Sequence, residues 1–145
     1  MKVLISVLIA ASLLIFLGGA FEGLVETVSH HYGKFNARFP EANKYWWNPS
    51  DSWPNKFKNG IESEGPKFIG STTVFVFVTD AYHLFRELER FGTRIGFGAL
   101  AAGLLFLRSF KVMSVRRLFL IICAGMAAGW LIWSAGFHAI YTIYF

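Results

Sequence analysis

The run FIGSTTVFVFVTDAYHLFRELER, residues 68–90, decides how the chain is read. Its first half is apolar enough to enter a bilayer, and Asp80 and His83 follow before the chain turns to Arg86, Glu87, Glu89 and Arg90. Ionisable groups at membrane depth are costly and persist where they face a bundle interior or a water-filled cavity, which makes Asp80 and His83 the first candidates for function. The alternation in VFVFV, residues 74–78, also fits a strand. An isolated strand in lipid leaves its backbone unpaired, so a helix over about residues 67–90 is predicted. On that helix Asp80, His83 and Glu87 fall at i, i+3 and i+7, one face that should look inward.

Composition agrees with a membrane solvent. The chain has 145 residues, room for one domain, of which 54% are hydrophobic and only 16% charged. The charges gather between apolar runs instead of being scattered along amphipathic stripes. A net charge of +5 invites a nucleic-acid reading. No basic stripe with interleaved stacking aromatics supports one, and the cations flank apolar segments, so the charge is read as topological and no nucleic-acid partner is expected. Cys123 is the single cysteine, which excludes an intrachain disulfide.

Upstream, residues 3–20 are almost uninterrupted aliphatic sequence after Lys2, close to the length a spanning helix needs. Lys2, the apolar core and Leu17-Gly18-Gly19-Ala20 also imitate a signal peptide, but the segment is read as a first membrane helix over residues 3–30. Glu22, Glu26 and His30 recur every four residues near its end and share a face, as a solvated juxtamembrane turn or as potential metal ligands. Residues 32–66 then form a polar connection too rich in aromatics for a disordered linker. Tyr45, Trp46, Trp47, Trp53 and Phe57, with Lys44, Lys56 and Lys58 between them, suit an interfacial loop at headgroup level or a docking surface for another subunit.

The run WNPSDSWPNKFKNG, residues 47–60, with GPKFIGSTTVFVFVTDAYHLF after it, resembles a pattern of small bacterial integral membrane proteins of uncharacterised activity, whose loop reads W-N-P-x-x-S-W. The resemblance implies a bacterial membrane location, and brings no activity, cofactor or catalytic residue with it.

Downstream, Phe91-Gly92-Thr93 reads as a turn and residues 94–108 as a third helix, whose Gly96, Gly98, Ala99, Ala102 and Gly103 offer a small-residue packing surface. Arg108, Lys111, Arg116 and Arg117 make a basic loop, and residues 117–143 a fourth helix carrying His138. The expected fold is therefore an all-α membrane protein, a single domain of four transmembrane helices with the aromatic interfacial loop between the first two. Both termini share one side. Ten of the 14 basic residues fall in the loops 32–66 and 108–117 or beside them, which places those loops in the cytoplasm of a bacterial inner membrane.

In such a bundle His83 and His138 lie at matched depth, roughly 10 Å from the midplane, while Glu26 and His30 lie on the opposite side. Two histidines so placed fit haem b, or a metal ion together with Asp80. A self-satisfied Asp80–His83 or His138–tyrosine pair is the plainer alternative. No G-x-S-x-G, H-E-x-x-H, C-x-x-C or phosphate-binding glycine loop argues for catalysis. The expectation is thus a non-enzymatic accessory or structural subunit that docks through its aromatic loop on lipids, on other membrane subunits or on further copies of itself. The alternative is a haem- or metal-binding redox or proton-relay protein.

Overall fold

A computed structural model describes residues 2–106 and 114–144. Three long helices carry the fold: α1 (Lys2–His30), α5 (Ala81–Phe106) and α6 (Val115–Tyr144). Between α1 and α5 the chain folds into a lobe containing three short helices, α2 (Tyr32–Arg38), α3 (Lys44–Trp47) and α4 (Pro49–Ser52), and several 3-10 turns. The described residues hold no strand, only an isolated antiparallel bridge between Phe57 and Pro66.

This corrects the expected four-span bundle: two helices, not four, are long and apolar enough to cross a membrane, namely α1 and Val115–Thr142 of α6. Both errors lie around residues 67–94. Gly65 and Gly70 have φ of +80° and +82°, which no helix accommodates, so residues 67–80 run as turns with one 3-10 turn, Val76–Val78. Helix begins only at Ala81, and it then passes straight through Phe91-Gly92-Thr93. Gly92 does not mark a turn. It sits where α5 touches the α1 backbone at Leu14 and Gly18, with no room for a side chain.

Contacts fix the helix directions. Gly103 lies against Leu4 and Leu8, Gly96 against Ala11 and Ile15, and Gly18 against Glu89 and Thr93, so α5 runs antiparallel to α1. Gly129 meets Ile15, Gly19 meets Trp133 and Phe137, and Gly23 meets Phe137 and Tyr141, so α6 runs parallel to α1. Ala11, Ile15, Leu100 and Leu104 form the core of the bundle, with Leu8, Phe97, Ile132 and Trp133 packed around them. The outer surface is also apolar: Val3, Leu13, Phe119, Trp130 and Leu131 are each more than half exposed. An apolar surrounding is compatible with both surfaces.

The helix directions also correct the sidedness. The lobe joins the C-terminal end of α1, whereas Arg116 and Arg117 stand in the first turn of α6 beside the N-terminal end of α1, at the opposite end of the bundle. Arg108 and Lys111 lie outside the described residues. An odd number of long helices separates the two basic segments that four spans would have put together.

Close approach of backbones makes a sharp prediction. A Cβ at Gly136 would collide with the Phe16 carbonyl, whereas one at Gly98 meets open space. Gly136→Ala should lower unfolding stability in detergent by about 1–3 kcal/mol, and Gly98→Ala should leave it unchanged or raise it by up to about 1 kcal/mol, both read by thermal melts followed by circular dichroism.

Candidate functional site: the junction of lobe and bundle

The lobe is held together by side chains that cap its own backbone. Asn48 accepts from the Ser50 amide and donates to Asp51 at 3.0 Å, fixing the start of α4, where Pro49 takes the first helical position. Asn55 donates to the Tyr45 and Thr79 carbonyls, tying α3 to the approach of α5. Ser71 is wholly buried and donates to the Lys56 carbonyl at 2.7 Å, which also accepts from the Lys67 amide. The W-P-N-K and G-S-T-T segments are thereby sewn into one body.

Asp80 is the centre of this junction and is 2% exposed. Its carboxylate accepts from the His83 amide at 2.8 Å, the N-cap contact that starts α5, and from the Thr79 hydroxyl at 3.0 Å. The His83 ring lies with Nδ1 2.8 Å from the same carboxylate. A carboxylate only accepts, so the imidazole donates through Nδ1 and leaves Nε2 as its second polar atom. Lys56, also buried, stacks its ammonium 2.9 Å above the Trp53 ring. Burial holds its amine below the ordinary lysine range, against the opposing pull of Asp80 and Glu62. Glu22 of α1 and Arg86 of α5 form an ion pair at 2.9 Å across the bundle.

An aromatic row runs outward from this point. Phe21 of α1 stacks on Phe85 of α5, Phe85 on Trp47, and Phe35 packs on both Trp47 and Phe39, with ring centroids 5.0–5.8 Å apart. The row ends in a groove of 570 Å³ lined by Phe35, Arg38, Phe39, Pro40, Ala42 and Trp47.

The predicted site residues are thus redistributed. Asp80 and His83 come together as a capping pair at the head of α5, and Glu87, on the face expected to look inward, pairs with Arg90 at the surface. His138 is exposed and meets the edge of Phe137, and among the described residues no three His, Cys, Asp or Glu side chains converge as a metal-holding group. It is His31, not His138, that approaches a tyrosine, with Nε2 3.3 Å from the Tyr141 hydroxyl. Glu26 stands 3.7 Å from His30, while Glu22 turns to Arg86. That ion pair puts the Glu22 face and the Asp80–His83 pair at the same end of the bundle, where a four-span depth count had set them on opposite sides. Of the proposed docking residues, Tyr45 and Trp53 are exposed, Trp46 and Trp47 half-buried and Phe57 buried. Asn55 and Ser71 were not singled out by sequence, because their partners are distant backbone carbonyls. No family model matches the chain, and neither a curated protein nor a solved structure shows significant similarity to it.

Two outcomes follow for stability. Asp80→Ala removes the cap and strands the His83 amide and ring donors, while the Thr79 hydroxyl keeps the Val76 carbonyl, so unfolding in denaturant should lose about 1–3 kcal/mol, with Asp80→Asn losing less. Tyr32 keeps a buried hydroxyl with no hydrogen-bond partner among the described residues, and burial, with help from Asp51, raises its pKa. Tyr32→Phe should therefore be neutral or stabilising. In that background the lysine effect stands alone: below its unfolded value of 10.5 the folded Lys56 binds fewer protons than the unfolded chain. Stability then rises with pH toward that value and levels off above it, and Lys56→Met should flatten the rise.

Proposed function

We propose that the chain is a membrane-held accessory subunit, anchored by α1 and α6, that recognises a partner through the groove of its lobe. The observation that carries this is the pre-built groove itself. Its aromatic floor is stacked back onto the bundle through Trp47 and Phe85, and its frame is fixed by Asn48, Asn55 and Ser71, so little order has to be created on binding. Phe35, Phe39, Pro40, Ala42 and Trp47 suit an aliphatic or aromatic anchor from a partner membrane protein, and Arg38 and Glu41 lie beside it for charges of either sign. The haem and metal alternative gains no observation, since His83 is engaged by Asp80 and His138 stands exposed.

The two halves of the sequence differ in charge. All nine acidic residues lie between Glu22 and Glu89, on the lobe half, and are matched there by nine of the basic residues. The other five, Lys2, Arg108, Lys111, Arg116 and Arg117, have no acidic neighbour in sequence.

A photo-reactive residue placed at Phe39 in cells should give a discrete adduct with another membrane protein, while one at Ile61 on the far polar turn should not. Phe39→Asp should release that protein during purification of the full chain in mild detergent. If Phe39 gives no adduct and the wild type and Phe39→Asp elute alike and alone, the docking reading fails.

A further inference from the structure

The segment 68–78 is the most apolar stretch left uncovered outside the long helices: Ile69, Val74 and Val78 are 94%, 71% and 50% exposed, and Phe68 and Phe75 are nearly half exposed. Water would penalise such a surface, and the chain has not frayed it open. Its turns pair part of their own backbone, with the Ser71 amide donating to Phe68, the Thr73 and Phe75 amides to Gly70, the Val78 amide to Phe75 and the Thr79 amide to Val76. The Phe75 ring folds over Gly70, where a Cβ would not fit, and the buried Ser71 hydroxyl pins the base of the turn to the lobe.

Position supplies the second half of the argument. Val74 and Phe77 share a cleft with Leu84, Glu87, Leu88 and Phe91 of α5, so the segment descends beside the first three turns of that helix instead of rising with the lobe. Those turns are level with Gly18 to Glu22 of α1, because Arg86 pairs with Glu22 and Gly92 meets Gly18. On α1 this is where the unbroken apolar run ends and the first acidic residue appears. The exposed side chains of Val74 and Phe91 therefore share one cleft and extend the apolar surface of the bundle toward its polar boundary.

We infer that residues 68–78 form a hairpin that inserts into the lipid interface, its exposed valines and phenylalanine seated among the carbonyl and upper acyl region of one leaflet. The occupant is lipid, because the patch lies against the exposed Phe91 of α5 in the same bundle as α1 and α6, and because its turn bonds already pair part of its backbone. The inference rests on the membrane placement of α1 and α6 and adds a third, interfacial contact that fixes the height and tilt of the lobe.

Single cysteines in a Cys123→Ser background test it, at Val74→Cys, Ile61→Cys and Leu13→Cys, each carrying a polarity-sensitive fluorophore in the full chain reconstituted into phosphatidylcholine and phosphatidylglycerol vesicles. Leu13 is the deep reference and Ile61 the aqueous one. The expected result is a blue-shifted Val74 probe, quenched by a shallow nitroxide lipid and several-fold less by iodide than the Ile61 probe. A Val74 probe that iodide quenches as fully as Ile61, while the Leu13 probe stays in lipid, overturns the inference alone. An iodide-accessible Leu13 probe overturns the membrane placement beneath it. Helical circular dichroism retained by each variant confirms that the comparison is made on folded protein.

Discussion

Everything in this fold depends on how closely α1 can approach two neighbours at once. Gly18 presents backbone to α5 at Glu89 and Thr93, and Gly19 and Gly23 present it to α6 at Trp133 and Phe137. Consecutive glycines on one helix point about 100° apart, so a single Gly-Gly step serves two interfaces. The partner helices answer with Gly92 and Gly96 on α5 and Gly136 on α6. In lipid there is no hydrophobic gain in burying leucine against leucine, and close backbone packing supplies the attraction instead. The same contacts set direction and register, and through them decide which charges share an end.

Register turns a list of polar residues into a divided molecule. Because α5 is antiparallel to α1, its charged first turns fall beside the end of α1 that carries Glu22, and the pair with Arg86 closes the bundle there. Asp80 lies one turn further out, where it starts α5 and orients His83 with the same carboxylate. These groups are expensive only if left alone. Each has found its partner at the boundary between apolar bundle and polar lobe, which is where the desolvation they pay is smallest.

α1 and α6 were legible from sequence because length and uniform apolarity are enough to specify them, and the glycine stripe of α5 was legible as a packing surface. Its boundaries were not. VFVFV carries the hydropathy of a membrane helix, and that outweighed Gly65, Pro66 and Gly70, which forbid one; likewise Gly92 has the same letter whether it bends a chain or lets two helices touch. Asp80 and His83 were singled out for depth, whereas their spacing is that of an N-cap and its third helical residue. The aromatic cluster was visible as composition. Its division into a buried Phe57, a stacked Trp47 and exposed Tyr45 and Trp53 depends on which carbonyls Asn55 and Ser71 reach, and no local pattern encodes that.

The aromatic row joins the two halves of the proposed role. It starts at Phe21, one residue before the first acidic residue of α1, passes through Phe85 and Trp47, and ends at Phe35 and Phe39 in the groove. Stacked rings in a packed interior do not deform smoothly, so a rotation of α1 against α5 has to be carried along the row or break it. A hairpin held at the lipid interface beside the same turns of α5 would resist that rotation from the other side. In the proposed role, with the bilayer fixing one end of the lever and hydrogen bonds fixing the frame of the other, the groove would face a partner in one orientation, and the entropy of finding that orientation would be spent during folding instead of binding.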